Sequence, residues 1–137
     1  MSLILDTSIV IDLERKYQPT IEKLMTLRKQ YPSSARITFV TAFEINLGLL
    51  KKSIKNRNKG IEFLNKFPVL QTTIKTPLAL AELKTKYEEK GVRLPLADLL
   101  IATLVKENQG ILVTKDQDFN SIEEIKGQFI GLVKIQG

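Results

Sequence analysis

The 137-residue chain predicts an α/β layer fold, a mainly parallel sheet covered by helices on both faces. Two observations carry this. Short runs rich in β-branched and aromatic residues alternate with longer stretches whose apolar residues recur at helical spacing. The length is about that of one domain and too short for two independent cores. No internal repeat, low-complexity segment or interdomain linker interrupts the pattern.

The first strand is the apolar run Leu3-Ile4-Leu5. Asp6-Thr7-Ser8 then offers three candidate N-caps before the helical stretch Ile9 to Glu14. A second helix is expected over about residues 20–30, with Ile21, Leu24 and Met25 on one face, until Tyr31-Pro32-Ser33-Ser34 breaks it. Ile37-Thr38-Phe39-Val40 reads as the next strand, and the helix after it carries Phe43, Leu47, Leu50 and Ile54 as its apolar face. A further helix runs from about Gly60 to Phe67, and Pro68 ends it. Val69 to Thr72 is a third strand; Thr76-Pro77 then reads as an N-cap with proline at the first helical position, and Gly91 as the helix stop. Residues 97–109 form a helix that is apolar almost all round from Leu99 to Val105 and is closed by Gly110. Ile111 to Thr114 is a fourth strand, the polar turn Lys115 to Ser121 follows, and Ile130 to Ile135 makes a fifth.

Composition narrows the chemistry. Hydrophobic residues make up 43% and charged residues 26%, an ordinary globular balance. The start of the chain has neither a basic leader nor an apolar span near the ~18 residues of a membrane helix, so a cytoplasmic location without membrane contact is expected. Cysteine and histidine are both absent. That excludes disulfides, thiolate and imidazole metal ligands, and every Ser-His or Cys-His nucleophile. The net charge of +6 favours an anionic partner. Its densest cluster is Lys51, Lys52, Lys55, Arg57 and Lys59, five cations in nine residues with no acid, which suits either a solvated helix end or a phosphate-contacting patch.

Four acids stand where an apolar run meets a helix start: Asp6, Glu44, Asp98 and Asp116. Each alone has an ordinary explanation. Asp6 can cap the first helix, and Thr41-Ala42-Phe43-Glu44 fits a capping box. Asp98 faces a helix dipole, and Asp116 and Asp118 suit a turn. In a parallel α/β sheet, however, right-handed crossovers bring strand C-termini and helix N-termini to one edge, where ligands bind. Four carboxylates meeting there need protons or cations. Oxygen ligands without His or Cys select magnesium or manganese, and such an ion serves phosphodiester hydrolysis without a histidine base.

The motifs Leu5-Asp6-Thr7-Ser8, Val40-Thr41-Ala42-Phe43-Glu44, Asp98-Leu99-Leu100-Ile101-Ala102 and Leu112-Val113-Thr114-Lys115-Asp116 with Asp118-Phe119 occur in an order and spacing that resemble a PIN-domain ribonuclease. The likeness is greatest to the VapC toxins of toxin-antitoxin pairs. It covers nearly the whole chain, so residues 1–137 are expected to form one PIN domain. The resemblance implies a five-stranded parallel sheet of order 3-2-1-4-5, a homodimer and a VapB-like antitoxin that blocks the cleft. It implies one or two Mg2+ or Mn2+ ions held by Asp6, Glu44, Asp98 and Asp116, with Asp118 replacing or joining Asp116. Thr7, Ser8 and Thr114 would orient the carboxylates or a water. Water would attack the RNA in line, leaving 5′-phosphate and 3′-hydroxyl ends, with Lys115 and the 51–59 cations on the RNA backbone. Asp116 stands where many relatives have asparagine, and Lys115 where arginine is common.

Other functions fit less well. A receiver domain needs a phosphoacceptor aspartate after a middle strand, yet Thr73-Ile74-Lys75 follows the third. Haloacid-dehalogenase chemistry needs an aspartate two residues after Asp6, and Ser8 is there. A non-catalytic PIN-like module that binds RNA or protein would have to pack the acids without a metal role, and an RNA-processing nuclease outside toxin-antitoxin systems would share the chemistry.

Overall fold

The computed structural model describes residues 1–126. Its elements are β1 (Leu3–Leu5), α1 (Thr7–Glu14), α2 (Gln18–Gln30), β2 (Ile37–Thr38), α3 (Phe39–Leu49), α4 (Ile54–Leu64), β3 (Val69–Leu70), α5 (Thr76–Glu89), α6 (Leu96–Glu107), β4 (Ile111–Val113), a 3-10 turn (Gln117–Ser121) and α7 (Glu123–Lys126). β1 pairs parallel to β4, with Leu3 opposite Ile111 and Leu5 opposite Val113; β2 pairs parallel to β3. A parallel bridge between Ile4 and Arg36 joins the two pairs, giving the order β3-β2-β1-β4 among the described strands. These short pieces do not establish the expected five-stranded order. The fifth strand, placed at Ile130 to Ile135, lies outside the described residues.

Alternation along β1 and β4 divides the core, because successive strand residues point to opposite faces. Ile4 and Leu112 look toward α5, α6 and α7, where Leu83, Tyr87, Leu99, Ile101, Val105 and Ile125 are buried. Leu3, Leu5, Ile111 and Val113 look the other way, onto Ile9 and Val10 of α1, Leu24 and Leu27 of α2, and Leu64 of α4. Helices therefore cover both faces, as the strand and helix alternation implies.

Several boundaries differ from the sequence reading. β2 stops at Thr38, because its hydroxyl caps α3 by accepting from Thr41 N at 3.3 Å, so Phe39 and Val40 are helical rather than strand. α3 and α4 are separate helices; Ser53 accepts from Asn56 N and restarts the chain as a helix at Ile54. In α5, Lys75 occupies the N-cap and Thr76 is already helical, its hydroxyl accepting from Thr73 N at 2.8 Å. On α2 the buried face is Thr20, Leu24 and Leu27, and Met25 is exposed. The α3 stripe is inverted more completely. Phe43, Leu47, Leu50 and Ile54 all face outward, while Val40, Thr41 and Leu49 face the core. Gly91 does end α5, with φ of +73°.

Gly110 does not stop α6 through a left-handed conformation; Gln109 takes positive φ there instead. Gly110 is required for space, since a Cβ would run into the buried Ile4 side chain at the centre of the sheet. Gly110→Ala is expected to cost about 1–3 kcal/mol by forcing Ile4 off its rotamer. Urea denaturation should show a lower midpoint at unchanged slope; an unaltered midpoint would mean that Ile4 repacks freely.

Candidate metal centre

Asp6 follows β1 directly and is held by both ends of the fold. Its backbone N–H donates to Val113 O at 3.0 Å, which continues the β1–β4 pairing. Its Oδ1 accepts from Thr7 N at 2.9 Å, so it does cap α1. Its Oδ2 accepts from the fully buried Thr114 hydroxyl at 2.7 Å, a contact spanning 108 residues. Thr114 Oγ1 in turn accepts from Asp116 N at 2.9 Å, so one hydroxyl ties the first acid to the fourth.

Glu44 does not act as the back-bonding member of a capping box. The cap is Thr38, one turn earlier than Thr41, which leaves the Glu44 carboxylate free to cross to α1. There its Oε1 accepts from Thr7 Oγ1 at 2.6 Å, and Thr41 Oγ1 lies 3.2 Å from the same hydroxyl. Thr7, expected to support the acids, thus contacts Glu44, and Thr41, which the sequence marks as a cap, is buried in the same network. Ser8 Oγ is buried with no hydrogen-bond partner among the described residues, and such an atom calls for a partner from outside the chain.

Asp98 lies in the first turn of α6, after Pro95 at the N-cap, which offers no side-chain cap. Asp116 Oδ1 accepts from Asp118 N at 2.9 Å, an Asx turn that opens the 3-10 segment. Asp98, Asp116 and Asp118 each present a carboxylate oxygen within 4.8 Å of the others. Burial, followed by the charges of Asp116, Asp6, Asp118 and Glu44, pushes the Asp98 carboxyl from its ordinary 3.8 up to about 6. Burial also raises Asp6, against the hydrogen bonds from Thr114 and Thr7; Glu44 and Asp116 add to the rise. Asp98 thus feels the other three junction acids, and Asp6 feels Glu44 and Asp116, although these residues come from the end of β1, α3, α6 and the turn after β4.

The donor set is oxygen alone and suits a hard divalent cation. Oxygens on one octahedral magnesium at ~2.1 Å lie ~3.0 Å apart when adjacent and ~4.2 Å when opposite, so the three aspartates would draw together by side-chain rotation on binding one. Three carboxylates in reach of one another are therefore placed to hold an ion.

A family model for the PIN domain matches residues 3–125. The chain belongs to the PIN-domain family. No curated protein matches it in sequence. Among solved structures, the PIN domain is similar to VapBC2 from Rickettsia felis bound to a DNA fragment from their promoter, at 23% identity over 91% of this chain and 96% of that one, with a TM-score of 0.78. It is also similar to VapBC-1 from nontypeable Haemophilus influenzae (20% identity, 95% and 97% covered, TM-score 0.77) and to DNA-bound VapBC from Salmonella typhimurium (19%, 95% and 97%, 0.76). At these identities the likeness concerns the fold.

The cations expected on RNA divide between the α3–α4 region and Lys115, which precedes Asp116. Lys51 and Lys52 lie in the turn between α3 and α4, and Lys55 and Lys59 on α4; all four are exposed. Arg57 is not available in the same way. Its guanidinium donates to the carbonyls of Leu49, Leu50 and Lys52 at 3.2–3.4 Å and closes the end of α3. Lys115 is likewise committed, donating to Asp12 Oδ2 at 2.8 Å. Neither Asp12 nor its second donor, Thr20, carried a sequence signal for this contact. No described helix is long and apolar enough to cross a membrane.

Proposed function

We propose that this PIN domain is a divalent-metal-dependent endoribonuclease, the toxin of a VapBC-type pair. The observation that carries the reading is the meeting of Asp6, Glu44, Asp98 and Asp116 from four separate chain segments, with Asp118 beside Asp116. On this reading Asp98, Asp116 and Asp6 hold one or two Mg2+ or Mn2+ ions, Glu44 completes the set, and Asp118 joins or substitutes for Asp116. A bound ion would supply an activated water and charge stabilisation at the scissile phosphate. Thr114 and Thr7 hold the carboxylates in place, since Asp6 Oδ2 and Glu44 Oε1 accept from their hydroxyls and Asp6 Oδ1 from Thr7 N, each oxygen keeping a lone pair for an ion. Ser8 has the one buried hydroxyl among the described residues that is left to orient a water.

RNA phosphates away from the scissile bond fall to Lys51, Lys52, Lys55 and Lys59, while Arg57 shapes the loop that presents them. The patch lies on α4 and the turn before it, past the end of the helix that carries Glu44, and serves positioning rather than chemistry. The outward row of Phe43, Leu47, Leu50 and Ile54 is apolar surface of the kind that protein partners cover. It supports assembly as a homodimer and capture by a VapB-like antitoxin, and the second of these is supported also by neighbours whose structures are toxin-antitoxin complexes. A cytoplasmic site of action follows from the RNA substrate.

The test is cleavage of a pool of structured RNAs by the purified protein with Mg2+ or Mn2+, beside an EDTA control. Metal-dependent cutting supports the reading; tight RNA binding without cutting under any metal would leave a non-catalytic module. Thr114→Val probes the support beneath the acids. It keeps shape but strips Asp6 of a donor and Asp116 N of an acceptor, and divalent-ion affinity should fall ~10–100-fold. Calorimetric titration with Mn2+ measures this, and unchanged affinity would remove Thr114 from the account.

A further inference from the structure

Lys115 is wedged between two residues of the acid network, with Thr114 bonded to Asp6 on one side and Asp116 on the other. Its own side chain leaves that network altogether. The ammonium donates to Asp12 Oδ2 at 2.8 Å and stands 5.3 Å from the centre of the Tyr17 ring. The same Asp12 oxygen accepts from Thr20 Oγ1 at 2.6 Å, and Thr20 is fully buried. Only 14% of the Asp12 side chain and 30% of the Lys115 side chain are exposed. Asp12 lies on α1 and Thr20 on α2, so the contact fastens the turn after β4 to both helices at once.

We infer that Lys115 and Asp12 form a latch that sets the direction of Asp116 and Asp118, making Lys115 a positioning residue for the metal centre rather than a phosphate contact. Lys115 lies at a bend that the Thr114 hydroxyl bridges by accepting from Asp116 N at 2.9 Å. Holding the Lys115 side chain toward α1 and α2 therefore fixes the backbone from which Asp116 projects. Among the described residues, beyond Thr114 the turn is tied by the local bonds of Asp116 to Asp118 and Phe119, and anchored again where Phe119 is buried. Without the latch, two of the three closest carboxylates would swing on this segment.

The inference rests on the metal reading above, and Mn2+ titration without RNA separates the two. Simple electrostatics says that Lys115→Met removes a repelling charge and should tighten cation binding. A latch says the opposite. Lys115→Met and Asp12→Asn should each weaken Mn2+ binding about tenfold or more, the magnitude typical of outer-shell partners. The double variant, which leaves the net charge as it began, should lose no more than either single one. Lys115→Arg should retain most of the affinity. Circular dichroism identifies variants that remain folded, and Lys115→Gln replaces Lys115→Met if the latter is not. Equal or tighter Mn2+ binding by folded Lys115 variants, with only RNA affinity reduced, would overturn the latch and restore a phosphate contact. No Mn2+ binding by the unsubstituted protein would overturn the latch together with the metal reading.

Discussion

Asp6→Asn is expected to abolish metal-dependent RNA cleavage, by at least on the order of 10³-fold, beyond the ~10–100-fold cost of losing an outer-shell partner. The substitution is nearly isosteric. The asparagine carbonyl can still accept from Thr7 N or from Thr114, so α1 keeps a cap and β1 keeps its pairing with β4. What disappears is a negative charge among Glu44, Asp98 and Asp116. The rate loss should therefore appear in protein whose circular dichroism spectrum and melting transition remain those of a folded domain. Cleavage within a few fold of the parent would detach Asp6 from catalysis and leave it as a helix cap.

Asp98→Asn should have two effects of opposite sign. It should eliminate cleavage to a similar extent, because Asp98 supplies one of the three mutually close oxygens. It should also stabilise the metal-free protein above pH 6. Burial and the surrounding acids raise the Asp98 carboxyl to about 6 in the folded chain, above its ordinary 3.8. The fold thus holds the proton more tightly than the unfolded chain does. This contribution to stability is complete below about pH 4 and is lost as pH rises through 6. Without metal, the parent should melt at falling temperature across that window, and Asp98→Asn should be flatter there and melt higher at pH 7.5. Added Mn2+ should raise the melting temperature of the parent at pH 7.5, do much less at pH 5, where protons compete for the ligand, and do little for the variant. A metal-free variant less stable than the parent at pH 7.5 would show that Asp98 is held as a structural charge.

β1, β4 and the placement of three of the acids were legible because their signals are local. Leu3 to Leu5 and Ile111 to Val113 are unbroken apolar runs, and Asp6, Asp98 and Asp116 follow directly from where those runs and the α6 helix begin or end. Glu44 was ambiguous for a physical reason. Thr41 and Glu44 satisfy the capping-box spacing, but the actual cap, Thr38, sat within a stretch whose β-branched residues read as strand. The orientation of α3 was also illegible. Helical spacing identifies a stripe, and only packing decides whether core or partner covers it; the row of Phe43, Leu47, Leu50 and Ile54 is left outward. Long-range polar contacts were out of reach altogether. Lys115 and Asp12 are 103 residues apart, and a lysine beside an acidic turn reads equally well as a phosphate ligand.

If the four junction acids hold a divalent cation, anomalous diffraction from crystals grown with Mn2+ should show a manganese peak within bonding reach of Asp98 and Asp116, with Asp6 and Glu44 beside it. An occupied manganese site elsewhere on the molecule, or none under conditions that support RNA cleavage, would contradict metal binding by these acids.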